Sequence, residues 1–83
     1  MKTNEFIENL KMQGLNYTLP EKSWETKITI YHYTDKSILA VVYTDLEYTY
    51  SIHNTTLQAI GIEALKDLKG ILDEYSETPV ALR

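Results

Sequence analysis

The segment that most narrows the fold is Ile38-Leu39-Ala40-Val41-Val42-Tyr43-Thr44, an apolar, β-branched run that follows the polar Thr34-Asp35-Lys36-Ser37 and stops at Asp45. It is too short for a packed helix, and its branched side chains suit a pleated backbone, so it reads as a strand. Because polar residues do not alternate through it, the run predicts a central strand covered on both faces. A central strand needs neighbours. Trp24 to Tyr33 supply the first, with Trp24, Thr26, Ile28 and Ile30 facing one way and Lys27, Thr29, Tyr31 and Tyr33 the other. After a turn around Thr44-Asp45-Leu46, Tyr48 to Ile52 supply the second, and the three strands form an antiparallel meander.

Helical spacing flanks this meander on both sides. Phe6, Ile7 and Leu10 predict a helix from Thr3 to about Gln13, with the Thr3 hydroxyl capping its first turn. Gly14 ends it in the left-handed conformation and lets Leu15 fold back onto Leu10. The stretch that follows, through Pro20 and Ser23, reads as irregular. Thr55-Thr56-Leu57-Gln58 fits a capping box, in which Thr55 bonds the amide of Gln58, and Leu57, Ile60, Ala64, Leu65, Leu68, Ile71, Leu72 and Tyr75 continue at helical spacing. A helix from Leu57 to Tyr75 is about 28 Å long, enough to lie along a strand, and Gly61 beside Ile60 is expected to mark a close approach to the sheet. The expected fold class is α+β in the order α-β-β-β-α, a three-stranded antiparallel meander with a long C-terminal helix packed along one face. The expected organisation is a single domain over residues 1–83. A chain of this length buries roughly 60–65% of its unfolded surface, enough for one core without disulfides or metal.

Composition closes several classes of chemistry. The chain has no Cys, so thiol nucleophiles, zinc ribbons, iron–sulfur clusters and disulfides are excluded, and a cytoplasmic setting is expected. The polar start Met1-Lys2-Thr3-Asn4-Glu5 does not read as a signal peptide, and no apolar run approaches the ~20 residues of a membrane span. Twelve acidic residues against eight Lys and Arg leave a net charge of −4, which argues against binding built on phosphate neutralisation. Helix, three antiparallel strands and helix is also the order of double-stranded RNA-binding domains. Those domains place cations at the start of the second helix, where this chain has Thr55-Thr56-Leu57-Gln58-Ala59-Ile60, so nucleic acid is not an expected partner.

Catalytic patterns are thin. His32 and His53 fall on different strands and opposite faces, and Asp45 and Glu47 at spacing two are explained by a solvated turn. There is no phosphate-cradling glycine loop, nucleophile elbow or metalloprotease pair. The expectation is a non-enzyme without cofactor or metal. On the last helix, Glu63, Lys66, Asp67, Lys69, Asp73 and Glu74 form a solvated outer side, with Lys69 and Asp73 spaced to pair.

Tyrosine is more informative. Seven of the nine aromatic residues are Tyr, and most of them fall in the expected strands. If the helices pack on the face bearing Trp24, Ile28, Ile30, Ala40, Val42 and Ile52, the opposite face presents Tyr31, Tyr33, Leu39, Val41 and Tyr43. These five are the candidate protein-binding residues, because Tyr gives large contact area with a polar tip that tolerates water. The partner is another protein or, alternatively, a second copy in a structural homodimer or assembly, with no membrane involved. A register slip of one residue exchanges the two faces.

The ending Tyr75-Ser76-Glu77-Thr78-Pro79-Val80-Ala81-Leu82-Arg83 resembles the Tyr-x-x-Thr-Pro-(Val/Ile)-x-x-Arg terminus of short accessory proteins from phages and prophages of Gram-positive bacteria. The resemblance covers these nine residues alone. It implies a small accessory protein, in a group that includes inhibitors of host or defence proteins, with a host or phage protein as partner. Physically the segment is a helix stop, since Pro79 disfavours helical geometry at Thr78.

Overall fold

The computed structural model describes residues 1–22, 24–34 and 36–83; Ser23 and Asp35, expected in a loop and a turn, lie outside the described residues. Helix α1 (Thr3–Met12) is followed by strands β1 (Asn16–Thr18), β2 (Lys27–Tyr31), β3 (Ile38–Tyr43) and β4 (Tyr50–Ile52), then by helix α2 (Thr56–Glu77) and a short 3₁₀ turn (Val80–Leu82). The class is α+β, as the periodicities predict. The sheet, however, has four antiparallel strands in the order β1-β2-β3-β4, not three. The additional strand is β1, which pairs Tyr17 with Ile30 inside the stretch expected to be irregular. Its three residues are too few for alternation to stand out, and the pairing partner supplies what local propensity does not.

Both helices pack on one face of this sheet. Cross-strand rows Tyr17–Ile30–Ala40–Ile52 and Ile28–Val42–Tyr50 meet Phe6 and Leu10 of α1 and Leu68, Ile71, Leu72 and Tyr75 of α2. Phe6 and Tyr75 stack with ring centroids 4.5 Å apart, a contact worth about 0.5–1.5 kcal/mol beyond the area it buries. Trp24 does not belong to this face. It is 73% exposed in the turn before β2, under the Lys22 ammonium, because the loop closes on itself through Glu25 N–H to Lys22 O and Glu21 N–H to Glu25 Oε2, so the strand begins only at Lys27.

A bulge between β2 and β3 sets the faces. Ile30 pairs with Ala40 but Tyr31 pairs with Ile38, so Leu39 is the extra residue. An inserted residue breaks strict alternation and turns Leu39 into the core beside Ala40, 1% exposed. Leu39 is therefore not on the open face, where alternation had placed it, and Ile38, 46% exposed, takes that position.

Helix ends differ from their expected caps at the N-terminus and agree at the C-terminus. Gly14 has φ 72°, with Gly14 N–H bonded to Lys11 O and Leu15 N–H to Leu10 O, the paired bonds of a Schellman motif. Thr3 is the first helical residue, and its hydroxyl bonds the Tyr75 hydroxyl at 2.8 Å instead of capping. Thr55 makes no capping bond; its hydroxyl lies 3.0 Å from His53 Nδ1, while the buried Thr56 hydroxyl donates to Leu39 O at 2.7 Å and ties the start of α2 to the bulge. Gly61 is not a close approach, since a Cβ built there meets nothing within 4 Å. Its backbone, φ 83° and ψ 166°, is in a region open essentially to glycine, and it breaks α2 after its first turn. Leu57, expected on the inner stripe, lies before the break and is exposed. No helix among the described residues is long and apolar enough to cross a membrane.

Candidate functional site

With α1 and α2 on one face, the other face of the sheet has no layer over it among the described residues. Alternation along β2 and β3 delivers Lys27, Thr29 and Tyr31 from one strand, and Val41 and Tyr43 from the next, to this side. The register sets them in rows. Lys27 lies opposite Tyr43, Thr29 lies between Thr18 and Val41, Val41 lies beside Ser51, and Tyr31 lies between Asn16 and Ile38. Tyr31, Val41 and Tyr43 are half-buried, and Ile38, exposed at the start of β3, extends the apolar strip beside Tyr31.

Of the five residues expected there, Tyr31, Val41 and Tyr43 are brought together, Leu39 is in the core, and Tyr33 stands apart. Tyr33 lies in the β2–β3 connection, stacks on His32 at 5.8 Å and borders a shallow depression with Gln13, Gly14, Leu15, Ile60 and Ala64, on the helix side of the sheet. β2 ends at Tyr31, where the His32 N–H bonds Ser37 O and the Lys36 N–H bonds His32 O, so the alternation that would carry Tyr33 onto the open face stops two residues short. Ile38 was missed as a site residue because a bulge leaves no mark in hydrophobic periodicity. Lys27 and Thr29 share this face, as the alternation of β2 predicts, and add a cation and a hydroxyl to the surface formed by Tyr31, Val41 and Tyr43.

Two further depressions border the strip on the β1 side. One, about 430 Å³, is lined by Asn16, Tyr17, Thr18, Tyr31 and Lys36; the other, about 370 Å³, is lined by Thr18, Leu19, Trp24, Lys27 and Thr29, with Glu25 and Thr26. Threonines and aromatic residues contribute to both linings, Thr18, Tyr17 and Tyr31 to the first and Thr18, Thr26, Thr29 and Trp24 to the second.

The remaining polar residues of note have structural partners. Among the described residues no three His, Asp or Glu side chains converge to hold a metal ion. His32 and His53 flank the start of β3, with their amides on Ser37 O and Leu39 O, and their Nδ1 atoms face the hydroxyls of Thr34 and Thr55. Glu47 accepts the Val80 N–H at 3.2 Å, so this turn carboxylate fastens the C-terminal segment. Tyr50 donates its hydroxyl to Asp73, which also takes Lys69 Nζ at 2.9 Å, linking β4 to α2. The Tyr50 hydrogen bond, and after it Lys69, holds the Asp73 carboxyl below its ordinary range; burial, and then Asp73, raises the Tyr50 phenol.

The terminal segment is occupied throughout. Thr78 leaves the helix at φ −70° and ψ 126°, its hydroxyl donates to Glu74 O and accepts the Met1 nitrogen at 2.7 Å, and Tyr75 is fully buried. Arg83 lies with its guanidinium over the Tyr75 ring at 4.6 Å and donates to Thr78 O, Tyr43 O, Leu46 O and Ser76 O. It thereby satisfies carbonyls at the end of α2, at the last residue of β3 and in the turn that follows it together. No protein-family model, curated protein or solved structure matches the chain.

Proposed function

We propose that this protein acts by binding another protein through the open face of its sheet and carries out no chemistry of its own. The observation that supports the reading is the strip Ile38, Tyr31, Val41 and Tyr43, an apolar and aromatic surface across the two central strands with no helix over it among the described residues. Contiguous exposed apolar surface of this kind marks interaction sites, and Tyr contributes area at small entropic cost.

The likeness of the ending to phage and prophage accessory proteins extends this reading to a host or phage partner inside the host cell, inhibited by being covered. That extension rests on the nine terminal residues. In this chain Tyr75, Thr78 and Arg83 close the fold, so the binding reading stands on the sheet face independently of them.

The test is retention of a partner from lysate by the wild-type protein, by Y31S/Y43S and by Y33S. The wild type and Y33S are expected to retain the same protein and Y31S/Y43S to lose it while keeping a wild-type circular dichroism spectrum. Equal retention by all three would sink the proposal.

A further inference from the structure

We infer that the partner of the open face presents carboxylates around an apolar centre; this rests on the reading of that face as a protein-binding surface. The four strands contain no Asp or Glu, and their single charged residue is Lys27, exposed on the open face opposite Tyr43. Lys36 borders the same face beside Tyr31, and Lys22 lies over the Trp24 ring at 5.2 Å next to Lys27 and Thr29. Among the described residues Glu25 is the carboxylate that lines the Trp24 depression, with the exposed Glu21 beside it in the same loop, and the Glu25 Oε2 accepts the Glu21 N–H. Among the described residues the ion pairs are Lys11–Glu8 and Lys69–Asp73, both on helices, and neither Lys27 nor Lys36 is in one. The acidic excess of the chain stands on the helices, across the sheet from this surface.

This asymmetry discriminates between occupants. A second copy docked face to face would set lysine-bearing surfaces against each other, and like-charge contacts at an interface are costly. A nucleic acid would find three lysines, one of them committed to an indole ring, on a protein of net charge −4, which is too little phosphate neutralisation for firm binding. A protein surface with Asp or Glu around an apolar middle meets unpaired cations at the rim and covers Tyr31, Val41 and Tyr43 at the centre, the usual division between polar rim and dry core.

A displayed library of random-sequence peptides, selected on the intact protein and sequenced, tests the inference. The enriched peptides are expected to combine Asp or Glu with apolar or aromatic residues. Synthetic copies should bind K27E/K36E at least about tenfold more weakly than wild type, and should weaken as salt is raised. If K27E/K36E loses its native spectrum, K27Q/K36Q gives the same comparison with charge removal alone. Peptides enriched without acidic residues, yet lost on Y31S/Y43S, would overturn the carboxylate partner and leave the protein-binding face standing. Peptides indifferent to Y31S/Y43S, or no enrichment at all, would overturn both. Tight binding of a single-stranded oligothymidine, or a wild-type dimer abolished by Y31S/Y43S, would overturn the inference in favour of a nucleic acid or a second copy.

Discussion

Arg83 shows how much one side chain can fasten in a chain of this size. Five donors in a rigid fork match carbonyls that point at it from the end of α2 and from the β3–β4 connection, while its flat face rests on Tyr75. Arg83→Ala leaves those carbonyls without their donor and is expected to cost about 2–3 kcal/mol, read from the urea midpoint at unchanged slope. Arg83→Lys should recover less than half of that, since an ammonium cannot span both elements; full recovery would show that charge alone matters. The sequence displayed Tyr75 and Pro79 as a helix stop but not the task of Arg83, because its partners are backbone carbonyls up to 40 positions away that carry no residue identity. Thr56 is similar. The expected capping box puts the weight on Thr55, whose hydroxyl turns to His53 instead, while its neighbour Thr56 reaches Leu39 O across 17 positions, a bond that no local pattern announces.

At the scale of elements, periodicity was the reliable guide, and it failed where the backbone leaves regular geometry. The spacing of Leu68, Ile71, Leu72 and Tyr75 placed the buried stripe of α2 correctly, and the alternation of Ile28 and Ile30 placed the inner side of β2. The three-residue β1 and the bulge at Leu39 were hidden because each is defined by pairing. The two glycines of α2 make opposite predictions. Gly61, at φ 83° and ψ 166°, tolerates no side chain without strain, so Gly61→Ala should destabilise by about 1–3 kcal/mol. Gly70 is helical, with open space where a Cβ would stand, so Gly70→Ala should stabilise by about 0.5–1 kcal/mol. Thermal melts of the two variants side by side decide the matter, and a shift of the same sign in both would remove the break at Gly61 from the account.

For the whole molecule, the two layers are joined by an apolar core and, at the β4 edge, by Tyr50, Asp73 and Lys69. The Asp73 carboxyl is held low, so its contribution to stability is complete above the ordinary carboxylate range and is lost as pH falls through its depressed value. Tyr50, raised by burial and then by Asp73, and Lys69, raised by its bond to Asp73, contribute below pH of about 10 and lose that contribution as pH rises through their higher values. The stability gap between wild type and Asp73→Asn is thus expected to be widest around neutral pH and to close toward both extremes, as followed by urea unfolding from pH 3 to 11. A gap independent of pH would rule out the coupling. The bulge at Leu39 carries a consequence for the whole molecule as well. A meander of short strands is prone to slide by one residue, and each such slide would send its buried side chains outward. With one residue too many on β3, pinned by the Thr56 hydroxyl and the His53 amide at a single carbonyl, only one alignment of the ladder closes. The irregularity acts as an index mark, which keeps the oily side and the tyrosine side of the sheet from ever trading places.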